Sequence, residues 1–347
     1  MRKIKVAILG AGHIAGSMAE ALSGIKDRVE LYAVASRSME RAEAFRAKWG
    51  FGKAYDSYEQ LAEDEEADLI YVATPHSEHF ANASLCITHG RNCLVEKAFC
   101  ANRKQAEELV KQAKEHGVLL AEAMWTRYQP SRKVITGLIE EGRIGRVQYI
   151  ESDFSVPISH VERLQRPELA GGALLDLGIY SLTVPALFHN GDIIGVDVEC
   201  TKLPTGVDAT DIINIRYSDG VSARAKCSCV DEPSNYGKIA GDSGYLIFAP
   251  TNNPEWIKIY DADDDLIETI DTPSMVNGYE YEVLECADAI LEGRTETESM
   301  PLKESLRMMG QMDRIRASAG IVYPFETLAD IDHSDREVWG ERFVTPT

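Results

Sequence analysis

The run Lys3-Ile4-Lys5-Val6-Ala7-Ile8-Leu9-Gly10-Ala11-Gly12-His13-Ile14-Ala15-Gly16 narrows the possible folds more than any other stretch of the chain. A short apolar segment rich in β-branched residues stops at Gly10 and gives way to small residues, the pattern of a strand, a tight turn and a helix start. Gly10, Gly12 and Ala15 fit G-x-G-x-x-G/A. In that arrangement Gly10 makes the turn, Gly12 lets a pyrophosphate reach the backbone, and Ala15 lets helix and strand pack closely. The helix amino terminus then offers unpaired N–H groups to the anion. A second strand, Val29 to Ala35, completes a βαβ context, so the stretch reads as a dinucleotide site.

The rest of the chain must fit around that unit. At 347 residues it exceeds one ordinary domain, and two are expected. A formal net charge of -20 argues against a nucleic-acid or acidic-membrane partner and requires local positive potential wherever an anionic cofactor binds. The seven cysteines, Cys86, Cys93, Cys100, Cys200, Cys227, Cys229 and Cys286, are odd in number and contain no C-x-x-C pair. They read as reduced thiols, and no metal site is expected. The first strand begins so near the amino terminus that no leader is expected, and no apolar run reads as long enough for a bilayer. Cytoplasm is the expected location.

Strand and helix patterns alternate through residue 122, which predicts an α/β Rossmann domain with a doubly wound parallel sheet over 1–122. Its strands are placed at Ile4 to Leu9, Val29 to Ala35, Leu69 to Val72, Asn92 to Val95 and Val118 to Ala121, with helices at Met39 to Trp49 and Arg103 to His116. The pattern then changes. Over 123–347, alternating runs at Arg146 to Ser155, Val196 to Leu203, Ile212 to Tyr217, Ser222 to Val230, Gly244 to Phe248 and Trp256 to Tyr260 predict an antiparallel or mixed sheet with one face solvated or covered by a partner. Helices are expected at Ser131 to Glu141, Gly172 to Phe188, Tyr279 to Glu292 and Pro301 to Ser318, the last two free to pack back on the first domain.

Polar residues at the carboxyl ends of parallel strands mark where a ligand gathers. After the second strand stand Ser36 and Arg37 in place of the acidic residue that suits NAD, so a 2′-phosphate and NADP are favoured, with NAD as the alternative. After Leu69 to Val72 comes Ala73-Thr74-Pro75-His76-Ser77-Glu78-His79, where the proline stops the strand. The two histidines read as loop residues, not metal ligands. After Asn92 to Val95 comes Glu96-Lys97, a lysine at the mouth of a buried strand and so partly desolvated, as proton transfer requires. Ala123-Met124-Trp125-Thr126-Arg127 leaves the fifth strand, and in Gly171-Gly172-Ala173-Leu174-Leu175-Asp176-Leu177-Gly178-Ile179-Tyr180 the carboxylate of Asp176 and the phenol of Tyr180 lie four apart on one helical face.

This combination, Gly-Ala-Gly-x-x-Ala at the amino terminus, Glu96-Lys97 and the 171 to 180 segment, resembles the Gfo/Idh/MocA oxidoreductases over nearly the whole chain. Within them it looks most like the dimeric dihydrodiol dehydrogenase and D-xylose dehydrogenase branch, on Ala123 to Arg127 and on a tyrosine at 180. The usual Glu-Lys-Pro reads Glu-Lys-Ala here, with the lysine kept. The resemblance implies a second α+β domain with a large, mainly antiparallel open sheet that forms a homodimer or higher homo-oligomer. It implies that Lys97, Asp176 and Tyr180 are catalytic and that Trp125 and Phe154 join Asp176 and Tyr180 around substrate. It further implies that Gly10, Gly12, His13, Ile14, Ser36, Arg37, Thr74, Pro75, His76, His79, Glu96, Lys97, Trp125 and Arg127 hold the cofactor.

The expected reaction is reversible hydride transfer between a nicotinamide cofactor and a secondary alcohol of a sugar, polyol or trans-dihydrodiol. The alternatives are an oxo-sugar or cyclitol dehydrogenase or reductase using NAD(H), and a nicotinamide-binding sensor without turnover.

Overall fold

Leu69-Ile70-Tyr71-Val72 illustrates how the amino-terminal half folds: four consecutive fully buried residues form a strand covered on both faces, which only a parallel sheet inside helical layers provides. The computed structural model describes residues 2–331. They fall into two units, one of residues up to Tyr128 with Met275–Met309, the other of Gln129–Ser274 with the described residues from Gly310.

In the first unit the order is β1 (Ile4–Leu9), α1 (His13–Gly24), β2 (Val29–Ala35), α2 (Met39–Trp49), β3 (Lys53–Tyr55), α3 (Tyr58–Glu63), β4 (Leu69–Val72), α4 (His76–Thr88), β5 (Cys93–Glu96), α5 (Arg103–His116) and β6 (Leu120–Ala123). The parallel sheet runs β3-β2-β1-β4-β5-β6, so strand order reverses between β1 and β4, the point where such sheets bind ligands. Capping explains the helix limits: Ser38 accepts the Arg41 N–H and Gly50 takes φ 82° around α2, while Asn102 accepts the Gln105 N–H and Gly117 takes φ 66° around α5. Strands β5 and β6 lie one and two residues later than expected, which puts Glu96 and Glu122 inside buried strands. The short β3 and α3 were not foreseen. Expected at 122, the limit of the first domain lies further on in the structure, at Tyr128, and the helix Glu280–Glu292 adds Val283, Cys286 and Ala287 to the core that holds Met18 and Leu22.

The second unit opens with α6 (Pro130–Glu140) and carries β7 (Val147–Ser155), β8 (Ile193–Lys202), β9 (Asp208–Tyr217), β10 (Ser222–Ser228), β11 (Ser234–Gly241), β12 (Gly244–Ala249), β13 (Trp256–Asp261) and β14 (Leu266–Asp271). Its sheet runs β14-β13-β12-β11-β7-β10-β9-β8, antiparallel except for β7 with β10. Period-two alternation sends Ile150, Ile239, Leu246, Ile257 and Ile213 to one buried face. On the other, Tyr149, Tyr236, Tyr245, Ile247 and Tyr260 remain half-exposed.

A segment of unusual geometry covers the buried face. Leu174–Gly178 is a π turn, with the Ile179 N–H reaching back to the Leu174 carbonyl, and an α-helix follows over Ile179–Phe188. The Ser152 hydroxyl donates to the Ser181 carbonyl and the Ser181 hydroxyl to the Lys226 carbonyl, each at 2.7 Å, tying this helix to the sheet. One expectation is corrected here. Pro167–Phe188, with mean hydropathy 1.4, is long and apolar enough by length and composition to cross a bilayer. Of its most apolar 18-residue stretch, 83% is buried within the protein, and that apolar character serves the core.

Candidate cofactor and active site

The sequence-predicted cofactor residues of the first unit follow the carboxyl ends of β1, β2, β4, β5 and β6, in the turns there or in the first turn of the helix that comes next. After β1, Gly10 holds φ 105°, and a Cβ there would come within 2.8 Å of the Ala73 carbonyl oxygen, so only glycine suits the turn. Gly12 differs: nothing lies within 4 Å of its would-be Cβ, it is exposed, and as N-cap of α1 it brings no side chain to the first N–H groups. That uncapped end, beside exposed His13, presents the donors a pyrophosphate needs.

After β2, Ser36 is buried with its N–H bonded to the Tyr55 carbonyl, and Arg37 is exposed. One helical turn on, Arg41 joins it. Burial raises the pKa of the Tyr58 phenol, and both guanidiniums lie near enough to oppose the rise. This pair supplies local positive charge in an acidic chain, and the sequence signal for Arg41 was its spacing of four from Arg37.

After β4, Thr74 and exposed Pro75 lead into α4, so His76 and His79 are helical, not loop residues. His79 is wholly buried, with Nδ1 2.8 Å from the Ala98 carbonyl and Nε2 2.7 Å from the Thr74 carbonyl. Burial holds its pKa down at about 4 despite both carbonyls. It therefore ties the β4 and β5 ends together and has no ring nitrogen left to offer a cofactor. Arg127 likewise turns inward, paired with Glu304 at 2.9 Å and donating to the Ser299 carbonyl at 3.2 Å. Both were expected as cofactor residues, and both act here as internal ties.

After β5, Glu96 accepts the Tyr71 hydroxyl and the Lys97 N–H, and Lys97 is half-buried beside it, with a cis peptide to Ala98. Two more buried acids stand nearby. Burial pushes Glu122 up to about 7, although it accepts the Phe99 N–H at 3.1 Å, and it lifts Glu282 well above the usual carboxyl range, with Glu96 and Glu122 adding repulsion. After β6, the Trp125 ring stacks on Tyr279 with centroids 4.1 Å apart, and its Nε1 is buried with no protein acceptor. An uncapped α1, an open Gly12, paired arginines after β2 and an orphaned indole donor fit a dinucleotide phosphate cofactor.

In the second unit, Asp176 lies in the π turn and Tyr180 in the helix after it, so the pair is linked through i→i+5 geometry and not the simple α spacing expected. Asp176 is buried and accepts from Arg163 Nη2 at 3.0 Å. Arg163 lies in a short segment without periodic pattern, and nothing in the sequence singled it out. Tyr180 packs edge-on against Phe154, centroids 5.3 Å apart, which brings together two residues expected at the substrate.

Comparison with known proteins agrees with this geometry. Residues 4–124 match the GFO_IDH_MocA model, an oxidoreductase family with an NAD-binding Rossmann fold, and residues 134–247 match a GFO/IDH/MocA C-terminal domain. The chain is 33% identical to the D-xylose 1-dehydrogenase (NADP(+)) of Hypocrea jecorina, covering 94% of this chain and 95% of that one. It is 30% identical to the trans-1,2-dihydrobenzene-1,2-diol dehydrogenase of Macaca fascicularis, covering 85% and 90%. Among solved structures, KijD10, a 3-ketoreductase from Actinomadura kijaniata in complex with NADP and TDP-benzene, is similar with a TM-score of 0.82 and 25% identity, covering 91% of this chain and 97% of that one.

Proposed function

Because the chain belongs to the Gfo/Idh/MocA oxidoreductase family, we propose that it is an NADP-preferring dehydrogenase of a secondary alcohol in a sugar, polyol or trans-diol, working in the cytoplasm. It is an NAD(P)-dependent oxidoreductase acting on CH–OH groups. Observed at the end of β2, Arg37 beside Ser36 and Arg41 carries the cofactor preference, since guanidiniums reward a 2′-phosphate and an acidic residue is missing. All seven cysteines are unbridged, as a reducing compartment requires.

Nicotinamide, when bound, exchanges hydride with the alcohol carbon. The chain's own work is to hold that carbon in place and to manage the hydroxyl proton. As the C–H bond breaks, the hydroxyl must release its proton. Tyr180 accepts it, with the Lys97 ammonium favouring the phenolate, and Lys97 as direct acceptor is the second route. Asp176, oriented by Arg163, accepts a hydrogen bond from the neighbouring hydroxyl. Thus Lys97→Ala lowers kcat by about 10²- to 10⁴-fold and leaves NADP affinity within about twofold. Retained turnover in that variant removes Lys97 from the mechanism.

A further inference from the structure

The glycine turn leading into Asp176 is gripped from two sides by buried side chains that the mechanism does not use. On one side stands Asp208, 1% exposed, whose Oδ2 accepts the Leu174 N–H at the head of the π turn. Gly172 takes φ 111°, and a Cβ on it would lie 2.2 Å from Asp208 Oδ1, so the carboxyl fills the space the glycine leaves. Oδ1 of Asp208 and Oδ1 of Asp211 are both buried without a donor, and the two carboxyls lie within hydrogen-bond reach of one another, so a proton on either would serve both. On the other side, the Tyr323 hydroxyl donates to the Gly171 carbonyl at 2.9 Å. Its ring is itself pinned: the Arg316 guanidinium lies 4.3 Å over it, and Glu326 accepts the Tyr323 N–H at 2.9 Å while pairing with Arg316.

We propose that Asp208 and Tyr323 are positioning residues that fix the Gly171 to Leu174 turn, and so set the Asp176 carboxylate and the Tyr180 hydroxyl for proton handling. This rests on the reading of Asp176 and Tyr180 as catalytic. Both side chains are 1% exposed and act through the turn, not on substrate. Their effect belongs in kcat and the alcohol KM, and not in NADP affinity, because the residues proposed to hold the cofactor lie on other elements.

The test uses the full chain and four variants, Tyr323→Phe, Asp208→Asn, Asp208→Ala and Asp176→Ala. Turnover is read with NADP⁺ and the fastest of D-xylose, myo-inositol and trans-cyclohexane-1,2-diol, NADPH affinity by fluorescence titration, and folding by thermal melting. Tyr323→Phe deletes one hydrogen bond at constant shape and lowers kcat about tenfold with NADPH affinity within about twofold. The carboxamide introduced by Asp208→Asn still accepts the Leu174 N–H and donates toward Asp211, so this variant keeps kcat within about threefold while Asp208→Ala loses about 30-fold or more. A merely structural role predicts equal losses in the two, in step with the melting temperature.

Wild-type kcat in Tyr323→Phe, or equal kcat in folded Asp208→Asn and Asp208→Ala, overturns the proposal. Should Asp208→Ala fail to fold, Tyr323→Phe decides alone. Full activity in Asp176→Ala removes the catalytic reading and the positioning proposal with it. An inactive Asp176→Ala beside an unimpaired Tyr323→Phe removes the positioning proposal only.

Discussion

Lys97 and Glu122 show how burial in the first unit is apportioned residue by residue. Lys97 stops half-buried just past the end of β5, whereas Glu122, inside β6, is entirely enclosed. Its carboxyl is raised from 4.5 to about 7, first by burial. Between those values the native state holds a proton that the unfolded chain has released, so this contribution is complete below pH 4.5 and is lost as pH rises to 7. The loss amounts to about 3 kcal/mol for an isolated group. His79 acts in the opposite sense: its pKa falls from 6.5 to about 4, so its contribution is present above pH 6.5 and lost as pH falls to 4. Glu122→Gln keeps an acceptor for the Phe99 N–H and removes the ionisation. Denaturant melts at pH 5 and pH 8 are expected to show a smaller stability difference in this variant than in wild type; an unchanged difference contradicts the burial account.

At the scale of elements, α1 is defined by what its first turn lacks. Helices α2, α3 and α5 are capped by the side chains of Ser38, Ser57 and Asn102, but α1 begins at a glycine whose vicinity is empty. The Cβ of a Gly12→Ala variant therefore meets no protein atom within 4 Å; the variant melts within about 2 °C of wild type and binds NADPH at least about tenfold more weakly because its side chain occupies the phosphate position. Weakened folding with intact binding reverses that reading. The same elements show what a sequence discloses. Strands β1, β2 and β4 were legible to the residue because each is an apolar run, broken only by Lys5 in β1 and Glu30 in β2, that closes at Gly10, Ser36 or Thr74-Pro75, and α2 and α5 because their caps are written in Ser38, Gly50, Asn102 and Gly117. Strand β11, Ser-Asn-Tyr-Gly-Lys-Ile-Ala-Gly, was missed because its inward positions include Gly237 under the Phe248 ring, and β14 because its residues are almost all exposed. The π turn has no sequence signature, and the inward hold on His79 and Arg127 depends on distant carbonyls and carboxylates, which periodicity does not encode.

On the large sheet of the second unit, the face opposite the core keeps Tyr149, Tyr236, Tyr245, Ile247 and Tyr260 half-exposed among the described residues. Tyr245 and Tyr260 stack there with centroids 4.9 Å apart, Lys238 lies over Tyr245, and Ile247 sits in register between Lys238 and Lys258; we propose that a second copy covers this face across a two-fold axis. We expect light scattering on the purified protein to give twice the chain mass, and Ile247→Glu to give a monomer; a monomeric wild type leaves that face to solvent. The most direct measurement of dehydrogenase activity and cofactor preference follows nicotinamide absorbance during NADP⁺ and NAD⁺ reduction across aldopyranoses, inositols and trans-dihydrodiols, with NADPH oxidation by the matching ketones as the reverse arm. Turnover of at least one sugar or diol is expected, with kcat/KM higher for NADP⁺ than for NAD⁺. Saturable NADPH binding with no turnover in either direction would contradict the enzyme, and a clear preference for NAD⁺ would contradict the role given to Arg37.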